Sequence, residues 1–257
     1  MQGAVRMELW QFGLIYILLL IVIAIMKKCK ISQTKLLIVA SVRMTLQLVI
    51  AGLILTYIFK NPRPLFTVGY VLIMIAFAIH RVLSKNKDIN IRFKIGIGAS
   101  LAVPGIAILL FFVGIVVGKS VFNPQYVIPI SGMIMGNAMT GASLGVKTFR
   151  ENFDGQKNKI DALLNIGVPP EKILLPFVNK AVETALLPTM NSMLGMGIVA
   201  LPGMMTGQIL SGTLPTTAIL YQIAIMVAIC TVVCLSVFGS LYIGYKTMIN
   251  SKSQITA

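Results

Sequence analysis

The chain has 257 residues, 57% hydrophobic and only 11% charged, with a formal net charge of +15. A soluble domain carries about 25% charged residues, so there is too little polar surface here to coat a water-facing globule, and lipid is the implied solvent. The basic residues stand in short clusters between long apolar runs, not as a stripe on one surface, which argues against nucleic acid as a partner and reports membrane orientation instead.

A helix crossing the hydrocarbon needs about 20 apolar residues. The first apolar run, 9–26, is followed rather than preceded by positive charge (Lys27, Lys28, Lys30, Lys35) and has no Ala-x-Ala site nearby. It is expected to be a retained anchor and not a cleaved signal. Further runs lie at 36–59, 65–79, 95–117, 126–146, 173–194 and 216–243. The third is short and begins after Pro62 and Pro64, and the fifth and sixth are polar for membrane spans. The expectation is an all-α integral membrane protein, a single domain over 1–257 built as a bundle of about seven transmembrane helices.

Charge placement sets the expected topology. If the N-terminus is outside and every run crosses, the inner connections hold Lys27, Lys28, Lys30 and Lys35, then Arg81, Lys85, Lys87, Arg92 and Lys94. They also hold Lys147, Arg150, Lys157, Lys159 and Lys172, and finally Lys246 and Lys252. Only Arg6, Lys60, Arg63 and Lys119 fall outside, while Arg43 and Lys180 lie within runs. Lysine and arginine concentrate on the cytoplasmic side of membrane proteins, so the N-terminus is expected outside, the C-terminus in the cytoplasm, and the chain as a multi-pass protein of the cell membrane.

Glycines four apart (Gly114 and Gly118, Gly132 and Gly136, Gly141 and Gly145, Gly203 and Gly207) suit close helix approach in lipid, where van der Waals packing replaces the hydrophobic effect. The fifth run and the stretch from Gly195 to Gly212 are dense in Gly, Asn, Thr and Met and suit a pathway lining or a re-entrant turn. Gly114-Ile-Val-Val-Gly118-Lys119-Ser120 is one residue too short for a phosphate-binding loop and ends an apolar run, so no nucleotide hydrolysis is expected in this chain. Cys29, Cys230 and Cys234 form no disulfide or metal-ligand pattern, and with His80 as the single histidine a zinc hydrolase has no support. The chain is read as a transport subunit and not an enzyme, with no cofactor of its own.

The longest polar connection, 147–172, contains a short amphipathic stretch. Ile160, Leu163, Leu164 and Ile166 form one apolar side, Gly167 suits the helix stop, and Pro170 with Glu171 suits the start of the next helix. Such a helix can dock into a groove on a cytoplasmic partner or rest on the membrane interface. Asp161-Ala162-Leu163-x-x-x-Gly167 resembles the Glu-Ala-Ala-x-x-x-Gly coupling loop of ABC-transporter permeases, with Asp for Glu and Leu for the second Ala, and Leu175-Pro176 follows it.

Beyond this loop, the runs Val-Ile-Pro-Ile-Ser-Gly-Met-Ile-Met-Gly-Asn at 127–137, Ala-Leu-Pro-Gly-Met-Met-Thr-Gly-Gln-Ile-Leu at 200–210 and Tyr-Gln-Ile-Ala-Ile-Met at 221–226 resemble the Fet-type permease family. These are ABC-transporter membrane subunits linked in bacteria to iron export, with plant relatives linked to aluminium tolerance and nucleotide-sugar transport. The resemblance implies a permease, paired as a homodimer, with a separate cytoplasmic ATP-binding subunit that holds ATP and Mg. Its implied cargo is iron or another metal ion, or alternatively a nucleotide sugar or other small solute. The residues expected to couple to that ATPase are Ile160, Asp161, Ala162, Leu163, Leu164 and Gly167.

Charge at membrane depth costs several kcal/mol unless it faces protein or water. Lys180 and Glu183, three apart, can meet on one helix face, as can Arg43 and Gln47. A stand-alone ion-coupled transporter could use Lys180, Glu183 and Arg43 as a charge relay, but it would call for internal repeats, and the sequence shows no convincing symmetry. Methionines cluster at 133, 135 and 139 and again from 190 to 205. Thioethers prefer soft ions such as Cu(I) whereas Fe(II) favours imidazole and carboxylate; flexible packing between sliding helices is the other role of methionine. The candidate pathway residues are Asn137, Lys180, Glu183, Asn191, Met204, Met205 and Gln208; no metal ligands are assigned.

Overall fold

The computed structural model describes residues 8–86 and 89–249; Arg6, Lys87 and Lys252 of the basic clusters lie outside the described residues. The chain runs through α1 (Leu9–Lys28), α2 (Thr34–Lys60), α3 (Pro64–Ser84) and α4 (Ile91–Phe111), the last extended by a π-helical turn at Phe112–Val116. It continues as α5 (Pro124–Gly155), α6 (Lys157–Asn165), α7 (Pro170–Gly195), α8 (Gly203–Leu210) and α9 (Pro215–Thr247). Among the described residues there is no named strand, and Met196 and Ala200 make an isolated bridge.

Six helices, α1 to α5 and α9, are long and apolar enough to cross a membrane. Helix α7 has the length, 26 residues, but its Lys180, Glu183, asparagines and prolines dilute its apolar character. Six of the seven expected spans are thus helices fit to cross a membrane, and the sixth expected span, 173–194, is helical as α7 but is not among them. The third run is longer than its apolar core: Pro64 occupies the first turn of α3, where the missing N–H has no partner to lose, and the helix reaches Ser84. Helix α5 overruns its expected end by two turns and more, so Lys147 and Arg150 stand on a helix rather than in a loop.

Two long-range hydrogen bonds fix the ends of the bundle. Asn90 donates through Nδ2 to the Thr247 carbonyl at 3.2 Å, placing the start of α4 beside the end of α9. Thr67 donates to the Phe122 carbonyl at 3.0 Å, placing the start of α3 beside the entry to α5 at the opposite end. The basic clusters at 81–94, 147–172 and 246 thus gather at one end of the molecule.

The core joins α3, α4, α5, α7 and α9. Phe93 and Phe149 meet edge to face at 6.4 Å between centroids, and Ile134, Leu174, Ile225 and Leu241 are essentially fully buried. Of the glycine pairs, Gly141 and Gly145 admit a neighbour: Cβ atoms there would fall 2.7 Å from Val233 Cγ1 and 2.8 Å from Val237 Cγ1. Gly136, Gly203 and Gly207 meet nothing within 4 Å and serve no such contact. Helices α1 and α2 bury none of their most apolar stretch, which lipid can cover. Tyr16 hydrogen-bonds Thr45 between them, and Arg43 lies over the Phe77 ring at 5.7 Å, tying α2 to α3.

Candidate functional site

At the end of the bundle away from the basic clusters, α7 stops at Gly195 and the chain turns through Met196 and Gly197, whose N–H donates to the Ala200 carbonyl at 3.0 Å. Helix α8 is eight residues long, about 12 Å at 1.5 Å per residue, too short to cross a membrane. It ends on Gly212 at φ +98°, with Gly212 donating to Ile209 and Thr213 to Gln208 at 3.0 and 2.9 Å. This is a Schellman stop, which favours glycine because its left-handed residue carries no Cβ. The result is a short helical connection folded against α9, with Met205 buried beneath it.

This connection borders an open cavity of about 610 Å³. Met133 and Asn137 of α5, Asn191 and Met196 at the end of α7, Met204 of α8, and Gln222 and Met226 of α9 line it. A second cavity of about 410 Å³ shares Met196, Gln222 and Met226 and adds Met193 and Met205. Gln222 is 7% exposed; its Nε2 donates to Met196 Sδ at 3.7 Å, and its Oε1 is buried without a hydrogen-bond partner. Buried polar atoms are nearly always paired, and this carbonyl is an exception that the packing around Gln222 leaves unsatisfied. Asn137 spends its amide nitrogen on the Met133 carbonyl at 2.8 Å, which leaves its side-chain oxygen for a ligand.

Of the expected pathway residues, Asn137, Asn191 and Met204 line the larger cavity and Met205 the smaller. Gln208 lines neither, though its Oε1 is also buried and unpartnered. Lys180 and Glu183 stand apart from both cavities. They pair at 3.0 Å on an outward face of α7, each side chain 63% exposed. Asn179, Leu187 and Asn191 of α7 are exposed as well, and Asn191 lines the larger cavity together with exposed Asn137 of α5. Gln222 and Met226 were not among the expected pathway residues. The available signal was Gln222 itself, an amide inside an otherwise apolar run.

At the basic end, α6 lies between α5 and α7. Ile160 is its buried anchor, 3% exposed, and Leu163 and Leu164 are half-buried, whereas Asp161, Ala162 and Gly167 are exposed. The helix ends in a second Schellman stop: Gly167, at φ +81°, donates to Leu164, and Val168 donates to Leu163, both at 3.0 Å. The stop leaves Ile166 projecting, 75% exposed. The expected coupling residues therefore divide into an anchoring row and a presented row, and Ile166 joins the latter.

The family model described as an uncharacterised protein family, UPF0014, matches residues 9–249. The chain belongs to this family. It is 33% identical to the UPF0014 membrane protein YjkA of Bacillus subtilis over 86% of this chain and 87% of that one. It is 32% identical to the probable iron export permease protein FetB of Escherichia coli, over 93% and 92% of the two chains. It is also 32% identical to the protein ALUMINUM SENSITIVE 3 of Arabidopsis thaliana, over 72% and 66%. No solved structure matches. The UPF0014 chain described here is accordingly a helical membrane protein of a family that includes a protein named as a permease.

Proposed function

We propose that this UPF0014 chain is the membrane-spanning subunit of an ATP-driven exporter, working as a homodimer with a separate cytoplasmic ATP-binding subunit. The cargo assigned is a metal ion, the class named for the Escherichia coli relative. The observation that carries the reading is α6: a short helix anchored by Ile160 while Asp161, Ala162 and Ile166 face outward at the basic end. An anchored amphipathic helix with an exposed apolar knob suits docking in a groove of a soluble partner. ATP-driven motion of that partner would then pass through Ile160 to α5 and α7, the helices that reach the methionine cavity.

The polar face of α5 and α7 supports the dimer. Lys180 shares a polar pocket at the basic end with Asn152, Gln156, Lys159 and Lys172, and its partner Glu183 stands one turn further along α7, where a charged side chain faces lipid only at a cost. A second copy covering this face, with water between, satisfies Lys180, Glu183, Asn137 and Asn191 together. The pathway would run between the copies from Lys180–Glu183 to the methionine cavity. Positive charge collected at one end supports reading that end as the cytoplasmic one.

The test is ATP-dependent uptake of metal into inverted vesicles holding this chain with or without an ATP-binding subunit. Transport that requires the second subunit and is lost in Ile166→Asp is expected; equal transport by the chain alone sinks the proposal. Leu187→Cys in a chain lacking its native cysteines should give a disulfide-linked dimer. Crosslinking only through the outer faces of α1 and α2 would refute the α5–α7 interface.

A further inference from the structure

We propose that the paired cavities at the end of α7 form a thioether relay for a soft monovalent metal ion of the Cu(I) class. The inference rests on the export reading for its physiological direction, but the site itself belongs to this chain alone. Six of the 15 methionines line the two cavities: Met133, Met193, Met196, Met204, Met205 and Met226. Four separate segments supply them (α5, the end of α7, α8 and α9), so no single helix's packing needs explain their convergence.

The chemistry of the lining selects the ion. Among the described residues no charged side chain lines either cavity, and no group of three or more His, Cys, Asp or Glu could hold a metal ion anywhere. Hard divalent ions need carboxylate or imidazole to replace their hydration, whereas thioether sulfur is a soft ligand that favours Cu(I). A monovalent cation also places less uncompensated charge in a neutral cavity than a divalent one.

Gln222 supplies an independent sign. Its amide nitrogen donates to Met196 Sδ at 3.7 Å, and its Oε1 is buried with no donor, in a residue that lines both cavities. A cation ligated by Met196 would compete with Gln222 Nε2 for that sulfur, and rotation of the amide would bring its oxygen toward the ion. Met196, Gln222 and Met226 are the residues the cavities share, so an ion can pass by exchanging one thioether for the next. Methionine suits such exchange: its unbranched chain has three rotatable bonds, and it can close on an ion in a cavity much larger than the ion. Movement through a pathway requires ligands strong enough to admit an ion and weak enough to release it, and neutral thioethers meet that condition better than thiolates.

The experiment uses the full chain, purified in lipid nanodiscs, with Cys29, Cys230 and Cys234 replaced by serine or alanine so that thiols do not contribute. Ag(I), a redox-inert stand-in for Cu(I), is titrated by calorimetry, and X-ray absorption at the silver edge reads its neighbours. Saturable binding with sulfur neighbours is expected, weakened at least 10-fold by Met196→Leu or Met226→Leu and several-fold by Gln222→Leu. Met135→Leu, outside both cavities, should leave it unchanged, and anaerobic Fe(II) should not saturate. No saturable Ag(I) binding, only oxygen or nitrogen neighbours, or binding indifferent to Met196 and Met226 would overturn the proposal. The absorption spectrum of the cysteine-free parent decides the matter even where a methionine variant fails to fold. Failure of ATP-driven transport would instead strike the export reading and leave this binding result intact.

Discussion

Gly145 and Val237 lie so close across the α5–α9 contact that a Cβ on the glycine would fall 2.8 Å from the valine Cγ1. The same atom would press Ala185 Cβ at 3.4 Å and Leu241 Cδ1 at 3.5 Å, so three helices α5, α7 and α9 close on this one position. Overpacking a filled site costs about 1–3 kcal/mol. Gly145→Ala is expected to lower the thermal unfolding midpoint of the detergent-purified chain. Gly136→Ala, whose Cβ would meet nothing within 4 Å, should be neutral or stabilising by up to about 1 kcal/mol through helix propensity. Equal effects would show that α5 and α9 are not in this register.

Ile160 and Ile166 flank the same short helix but face opposite tasks, one 3% and the other 75% exposed. Ile160→Ala removes a buried anchor, a change worth about 2–5 kcal/mol in a packed core, and should release α6 to proteolysis. Ile166→Asp should leave the unfolding midpoint unchanged while reducing co-purification of the proposed ATP-binding subunit at least tenfold. The contrast separates anchoring from docking, and matching phenotypes would contradict the division of α6 into two rows.

Lys180 and Glu183 pair at 3.0 Å on a face that is open in the single chain. An exposed pair contributes about 0–1 kcal/mol, so neutralising either partner should barely alter the stability of a monomer in detergent. Covered by a second copy, the pair is partly desolvated, and removing one partner alone costs more than in bulk water, up to about 3–5 kcal/mol for a fully buried pair. Lys180→Gln and Glu183→Gln should each lower the dimer fraction in light scattering, and the double variant should recover much of it. Additive losses would place the pair in bulk water instead of at an interface.

Cys29 is exposed between Lys28 and Lys30 at the end of α1. With Cys230 and Cys234 replaced, a membrane-impermeant maleimide should leave Cys29 unlabelled in intact cells and label it in inverted vesicles. Labelling from outside would reverse the orientation inferred from charge.

The sequence by itself determined the solvent, the helices and which end carries positive charge, because these follow from composition, run length and local spacing. The stop at Gly167 and the amphipathic row before it were legible for the same reason: a Schellman turn is made by neighbours along the chain. The tertiary structure alone decided which glycines seat a helix, since Gly141 and Gly203 have the same spacing and only the former meets a partner. It also separated Lys180 and Glu183 from the cavity of Asn137, Asn191 and Met204. Helix period places residues on a face but does not say which faces oppose each other. Gln222 shows this most clearly: its amide is visible in α9, but the convergence of methionines from α5, α7 and α8 around it is a long-range fact of packing. That packing turns scattered thioethers into two adjoining cavities.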